Sequence, residues 1–340
     1  MSTALVISGG GSKGAFAVGV IQAMFRQRPG LSFDILIGTS TGALIAPLAT
    51  AKDIALLEQL YTTVRTDNVI TTYNAGNRIL TAESLFAVEP LAQLLKQYYT
   101  DTFFADLVTR PYQVLLATTC LQTEDPVYFS SKPLTRATEH QVTVLQQADH
   151  FRRAVLASAC QPVFMPPIEV IPGAQPLRQY VDGGVREYAG IQMAIEQGAD
   201  EIFVILLSPE ANPPVEKRYT GIPDILMRTI EIFSEDVGSN DVQIPLLYNK
   251  ALAYVDGVRR NLLQYGISPE KAAALLEVPG NPFSNKRSVN LHLIRPGESL
   301  GGGPGGLTFD PAEMKNMVAK GQSSMDRYIA GLKPGSSILV

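Results

Sequence analysis

The chain has 340 residues, 46% of them hydrophobic and 18% charged, with a formal net charge of −4. This is a globular balance, long enough for one large α/β domain or two small ones. The acidic excess excludes a generic nucleic-acid binder and any broad attraction to anionic membranes, leaving room only for transient membrane-surface contact through local patches.

Cys120 and Cys160 are the only cysteines. Without CxxC spacing they exclude a disulfide framework and suit a reducing, cytoplasmic compartment, each reading as a small buried residue. The run Ala4-Leu5-Val6-Ile7-Ser8 stops at Gly9, too short for a signal segment, and no later run reaches the roughly 18 apolar residues that a membrane span requires. A soluble protein is expected.

The same run reads as a buried parallel strand. A glycine cluster follows it, then a helix from Ala15 to Gln27 with Phe16, Val20, Ala23 and Met24 at helical spacing, closed by Pro29-Gly30. Phe33 to Ile37 reads as a second strand, leading into Gly38-Thr39-Ser40-Thr41-Gly42 and another helix. Strand, helix, strand, helix within the first 50 residues is the pattern of a mostly parallel central sheet covered by helices on both faces, a three-layer α/β/α arrangement.

Helices are expected at Asp53 to Arg65, Pro90 to Tyr98 and Asp149 to Ser158, and core strands at Gln113 to Thr118, ending at Asp182, at Glu201 to Leu207 and at Val289 to Ile294. A largely helical stretch runs from Ile222 to about Ala274. The loop Gly301 to Gly306 is flexible by composition. After it, Asp310-Pro311-Ala312-Glu313 has the form of a capping box opening a closing helix that carries Met314, Met317, Val318, Met325 and Ile329 on one face. Neither repeat nor linker divides the chain. A single domain over 1–340 is expected, with a helical insertion at about 215–285 and a C-terminal helix at about 311–331.

Three short motifs carry chemistry. In Gly9-Gly10-Gly11-Ser12-Lys13-Gly14, consecutive glycines at a helix N-terminus let backbone amides converge on a phosphate or on a transition-state oxyanion. A nucleotide P-loop is disfavoured because Gly14 follows Lys13 where Ser or Thr is needed. A dinucleotide site is disfavoured because Asp34 lies at the wrong end of its strand. Gly38-Thr39-Ser40-Thr41-Gly42 is a G-x-S-x-G elbow between strand and helix, where flanking glycines allow the sharp turn that lifts the Ser40 hydroxyl above the sheet. In Asp182-Gly183-Gly184 a strand-end carboxylate, partly desolvated, can act as a general base, with small neighbours leaving room for substrate.

The chain has three histidines. His140 and His150 read as surface residues. His292 completes the chain order Ser40, Asp182, His292 of an α/β-hydrolase triad, but it sits inside a strand, and the elbow comes too early for that fold. No His/Cys/Asp cluster has metal-ligand spacing, so neither metal nor cofactor is expected.

Taken in order, these motifs resemble the patatin-like phospholipase family of lipid acyl hydrolases. The resemblance extends to Ala157-Ser158-Ala159, to Pro162 with Phe164-Met165-Pro166-Pro167, and to the helix-to-strand step Ala194 to Ile202. It implies a serine carboxylic-ester hydrolase of the phospholipase A or lysophospholipase kind, acting on phospholipid, lysophospholipid or neutral lipid through an acyl-enzyme. It assigns Ser40 as nucleophile, Asp182 as base, and the Gly9, Gly10 and Gly11 loop as the oxyanion hole. Lys13, Gly14, Gly38, Gly42, Gly183 and Gly184 support the motifs, and no catalytic histidine is used. After Asp-Gly-Gly the family usually has an Asn and a Pro. Here Tyr188 and Gly190 stand instead, which is expected to remove a polar contact near the active-site strand end and so bear on substrate selection or loop rigidity. Two other readings stay open: a non-catalytic lipid- or fatty-acid-binding protein on the same fold, and an α/β-hydrolase triad through His292.

Overall fold

The computed structural model describes residues 1–50, 52–72, 83–211, 214–283 and 286–332. In chain order it begins with β1 (Thr3–Ile7), α1 (Gly14–Gln27), β2 (Ile35–Thr39), α2 (Thr41–Ile45) and α3 (Ile54–Thr63). A short antiparallel ladder of β3 (Thr71–Thr72) and β4 (Phe86–Ala87) precedes α4 (Glu89–Tyr98), α5 (Asp101–Leu107) and β5 (Gln113–Cys120). Next come β6 (Pro126–Ser130), β7 (Gln141–Val144), α6 (Ala148–Ala159), β8 (Tyr180–Asp182), α7 (Ile191–Glu196) and β9 (Glu201–Ile205). The remainder is α8 (Ile222–Gln264), α9 (Pro269–Leu276), β10 (Asn290–Ile294) and α10 (Pro311–Ala330).

The main sheet has the order β10-β9-β1-β2-β5-β6-β7, with β8 also paired to β5. From β10 to β5 every pairing is parallel. Strands β2, β5 and β9 are buried along their whole length, which is why they read as continuous apolar runs rather than alternating ones. Successive side chains still divide between the faces. Leu5 and Ile7 pack into the core formed with α1, α6 and α10, whereas Ala4 and Val6 pack with Ile191 and Met193 of α7 and Val242 of α8. The result is the expected three-layer α/β/α fold, with a mostly parallel sheet between two helical layers.

Helices α1 and α10 pack backbone to backbone. A Cβ at Gly19 would lie 2.0 Å from the Val318 carbonyl oxygen, and one at Gly321 would lie 2.1 Å from that of Phe16. Met314, Met317, Val318 and Met325 are buried in this contact, so the methionine-rich face is core. Asp310 caps α10 by accepting the Ala312 and Glu313 amides at 2.9 Å each. Cys120 and Cys160 are both free and buried.

Two features depart from the sequence reading. The long helical stretch is two helices, broken where Gly266 takes φ +81 and Ser268-Pro269 starts α9 with a side-chain cap. Strands β6 and β7 extend the sheet beyond β5; β7 is short and only half-buried, so it lacks the apolar run that marks the central strands. Among the described residues no helix is long and apolar enough to cross a membrane.

The close approach of α1 and α10 predicts opposite outcomes at two helical glycines. Gly321→Val should lower unfolding free energy by about 2–3 kcal/mol through overpacking. Gly257→Ala on α8, where a Cβ would meet nothing within 4 Å, should raise it by roughly 0.5–1 kcal/mol. Urea denaturation of the two variants checks both signs.

Candidate active site

The sheet register brings Ser40 and Asp182 together. β2 runs beside β5 and ends with Thr39 opposite Ala117. One edge of β5 is occupied by β6 from Leu115 to Thr119, so β8 must use the edge that β2 has just vacated. It does so from the next position, with Asp182 opposite Thr118. β2 and β8 therefore meet end to end along one strand, and the residue after β2 is Ser40 while the last residue of β8 is Asp182.

Ser40 occupies the turn itself, at φ 56 and ψ −123. This is a costly backbone for a residue with a Cβ, on the order of 1–3 kcal/mol. Two glycines make the turn sterically possible: a Cβ at Gly38 would lie 2.2 Å from the Gly42 carbonyl oxygen, and one at Gly42 would lie 2.1 Å from that of Ile7. The Ser40 amide donates to Ser158 Oγ at 3.0 Å, and Ser158 Oγ donates to the Ala117 carbonyl at 2.6 Å. Ser158 thus pins the elbow to β5 from α6. Gly14 leaves space for Thr41 and Tyr61, whose hydroxyls hydrogen-bond just behind the elbow.

Asp182 is buried, and its amide donates to the Cys160 carbonyl at 2.9 Å. The Gly184 amide donates to Asp182 Oδ1 at 2.8 Å. Burial pushes the carboxyl up to about 6, against the lowering influence of hydrogen bonds from the Ser40 hydroxyl and the Gly184 amide. A carboxylate so placed is ionised at neutral pH yet basic enough to take a hydroxyl proton. Gly183 packs against the Ala117 carbonyl, where a Cβ would come within 2.7 Å.

The first glycine loop faces this pair across a cavity of about 420 Å³, which Gly9, Gly10, Gly11 and Lys13 line together with Ser40 and Asp182. Among the described residues the Gly10 and Gly11 amides donate to no protein acceptor, so both can serve a ligand oxygen. The loop is held by a second glycine segment. A Cβ at Gly11 would lie 2.2 Å from the Gly306 carbonyl oxygen, and one at Gly306 would lie 2.3 Å from that of Gly10. The segment Gly301 to Gly306, read from composition as flexible, is a packed wall of the site. Its Gly305 amide donates to Glu231 of α8.

The histidines lie elsewhere. His292 on β10 binds Glu201 through Nε2 at 3.0 Å and Tyr328 through Nδ1 at 2.8 Å, and stacks on Phe203. Both ring nitrogens are engaged away from Ser40 and Asp182, so the structure does not assemble a triad through His292. His140 is not the surface residue that its polar neighbours suggested. It lies 3.3 Å from Glu187 and 3.0 Å from Glu196. Burial works to lower its pKa, but the two carboxylates jointly outweigh burial and push it up to about 9. Among the described residues no group of three or more His, Cys, Asp or Glu side chains could hold a metal ion.

The two positions that depart from the motif pattern have structural partners. A Cβ at Gly190 would lie 2.6 Å from Ile37 Cγ2 and 2.8 Å from Tyr128 Oη, so proline is excluded there by neighbours. Tyr188 lines the cavity and donates its hydroxyl to the Gly9 carbonyl at 2.6 Å. Tyr188 thus makes a polar contact of its own, to the first glycine loop. Asp241 of α8 accepts the Tyr188 and Ala189 amides, and like Ser158 and Glu231 it was not singled out, because each acts across more than 50 positions of sequence and leaves no local spacing to read.

Fold and site together define a three-layer α/β/α protein with a serine elbow, a buried strand-end aspartate and a glycine loop on one cavity. The chain belongs to the patatin-like phospholipase family: the family model described as "Patatin-like phospholipase" matches residues 5–195, more than half of the chain. A search of curated proteins gives no match. Among solved structures, VipD from Legionella pneumophila aligns with a TM-score of 0.44 at 14% identity, over 97% of this chain and 66% of that one. This chain therefore spans just under two thirds of the VipD chain.

The strained elbow and the buried carboxylate should both register in stability. Ser40→Gly should be more stable than Ser40→Ala by about 1 kcal/mol in denaturant titrations, because glycine tolerates the positive φ. Because the folded value of Asp182 lies above its ordinary 3.8, its neutral form is the one that favours folding. That contribution is complete below about 3.8 and is lost as pH rises through about 6. Asp182→Asn should therefore gain on the order of 3 kcal/mol at pH 8 and little at pH 4. A thermal-unfolding series across that range tests the sign.

Proposed function

We propose that this protein hydrolyses acyl esters of lipids with Ser40 as nucleophile and Asp182 as the single general base. The observation that carries the reading is the end-to-end meeting of β2 and β8, which sets a buried carboxylate beside an elbow serine and opposite two glycine amides that are unpaired among the described residues. Ser40 Oγ attacks the ester carbonyl carbon while its proton passes to Asp182. The oxyanion of the tetrahedral intermediate is received by the Gly10 and Gly11 amides, helped by the N-terminal end of α1. The C–O bond to the alcohol then breaks, and Asp182 returns the proton to the departing oxygen. Water repeats the sequence on the acyl-enzyme: it loses a proton to Asp182, attacks the acyl carbon and releases the fatty acid as Ser40 regains its proton.

The surroundings suit a fatty acyl chain. The catalytic cavity shares Leu44, Val69, Leu91 and Phe309 with a second pocket of about 80 Å³. That pocket continues between α3 and α4 past Leu60 and Leu95 toward Tyr98. Such a lining gives an acyl tail burial at about 0.8 kcal/mol per methylene, while the ester stays at Ser40. The cavity lining also includes Lys13, Lys217 and Arg228 as well as carboxylates, so polar head groups meet charge of both signs.

A fluorophosphonate probe should form an adduct on Ser40, located by peptide mass spectrometry, and none on Ser40→Ala. Hydrolysis of p-nitrophenyl esters should fall on an acid limb near pH 6, since protonated Asp182 cannot accept the serine proton. Wild-type turnover by Asp182→Ala would sink the dyad. A wild-type protein that binds fatty acid tightly but gives no burst of nitrophenol would point instead to a non-catalytic lipid binder. Leu91→Phe, at the joint of the two pockets, should shift the preference toward shorter acyl chains, with about a tenfold loss on long-chain esters. A chain-length series on both proteins reads this directly.

A further inference from the structure

We infer that Tyr188 is a positioning residue that orients the Gly10 amide, and that Asp241 of α8 holds Tyr188 in place to do so. The inference rests on the reading of Gly10 and Gly11 as oxyanion donors. Its core is the geometry of one peptide unit. The Gly9 carbonyl and the Gly10 N–H belong to the same planar trans peptide and point in opposite directions. The Tyr188 hydroxyl, donating to the Gly9 carbonyl at 2.6 Å, fixes the direction of that carbonyl. It thereby fixes the Gly10 N–H on the opposite side. Glycine at both positions would otherwise leave this peptide free to rotate between alternatives.

The ring of Tyr188 is itself immobilised. It is wedged among three glycines from three parts of the chain. A Cβ at Gly238 of α8 would lie 2.7 Å from its Cδ1, one at Gly9 would lie 3.3 Å from its Cε2, and one at Gly184 would lie 3.3 Å from its Cδ2. The backbone is clamped as well: the amides of Tyr188 and Ala189 both donate to Asp241 Oδ2, each at 2.8 Å. Burial pushes the Tyr188 phenol well above its ordinary range, so the hydroxyl remains a donor at every working pH. On the far side, Gly306 backs Gly10 and Gly11 at backbone contact distance. The oxyanion loop is thus held between Tyr188 and the second glycine segment, and α8 ties both supports through Asp241 and Glu231.

Tyr188→Phe keeps the wedge and removes only the hydroxyl. It should lower kcat by about 10- to 100-fold, less than deleting a donor outright, with KM within about twofold. Amide hydrogen exchange followed by mass spectrometry should quicken about tenfold or more at Lys13 and Gly14, whose amides bond the Gly10 and Gly11 carbonyls, with β1 unchanged. Asp241→Ala should move both measurements in the same direction, and it carries the comparison if Tyr188→Phe does not fold. Unchanged exchange at Lys13 and Gly14 in the folded variant overturns the inference whatever happens to the rate. So does quickened exchange with unaltered kcat in an active enzyme. A wild-type protein without esterase activity is the failure of the hydrolase reading, and the exchange measurement then decides the orientation of the loop by itself.

Discussion

The edge of β5 governs the arrangement of the site. One strand lends successive positions of a single edge first to β2, which arrives parallel, and then to β8, which arrives antiparallel. Backbone hydrogen bonding to a common partner fixes the separation of two strand ends more tightly than any side-chain contact could, because the ladder repeats at a set interval. Ser40 and Asp182 inherit that precision. Ser158 adds to it from α6, bonding both the Ser40 amide and the Ala117 carbonyl at the junction. The two residues are thus held by the centre of the sheet, while the helices shape what surrounds them.

The second constraint is the absence of side chains where backbones converge. Gly10, Gly11 and Gly306 stack peptide against peptide, and Gly38 and Gly42 let the elbow turn. Close packing of this kind exposes amides to the cavity without intervening methyl groups, which a site that stabilises an oxyanion needs. Glycine is also entropically expensive to order, so each such segment requires an external hold. Here the holds come from α8: Glu231 binds the Gly305 amide, and Asp241 binds the Tyr188 segment that donates to Gly9. The family match ends at residue 195, so α8, which supplies these supports, lies outside the part of the chain that the family model covers.

Asp182 and Ser40 are each maintained at the expense of stability. One is a carboxylate held ionised in a buried setting; the other is an L-residue held at positive φ. Neither condition persists unless the surrounding structure over-determines it. The sheet register and the Gly184 amide do this for Asp182, and the flanking glycines with Ser158 do it for Ser40. His292 shows the contrast. Its ring nitrogens are satisfied by Glu201 and Tyr328, which is the resting state of a structural histidine.

Much of the fold was legible in the sequence, for local reasons. Central strands buried on both faces must be apolar throughout, so β1, β2, β5 and β9 stood out. Helical periodicity marked α1, α3 and α10, and Asp310-Pro311 announced a cap. The glycine loop, the elbow and Asp182-Gly183-Gly184 were visible because strained turns and bare backbones restrict the residue type at particular positions. Less was visible where residues meet across long separations. The bond from Tyr188 to the Gly9 carbonyl left no local signal, because the two lie 179 positions apart. Gly301 to Gly306 read as flexible, because composition records a loop's freedom but not the backbone packed against it. His140 read as solvated, because Glu187 and Glu196 come to it from another part of the chain. By itself the sequence determined which residues could carry the chemistry, since that depends on residue type and local geometry. Only the tertiary structure decided that β2 and β8 share one edge of β5, and that α8 braces the glycine loop, since pairing and packing between distant segments are properties of the folded chain.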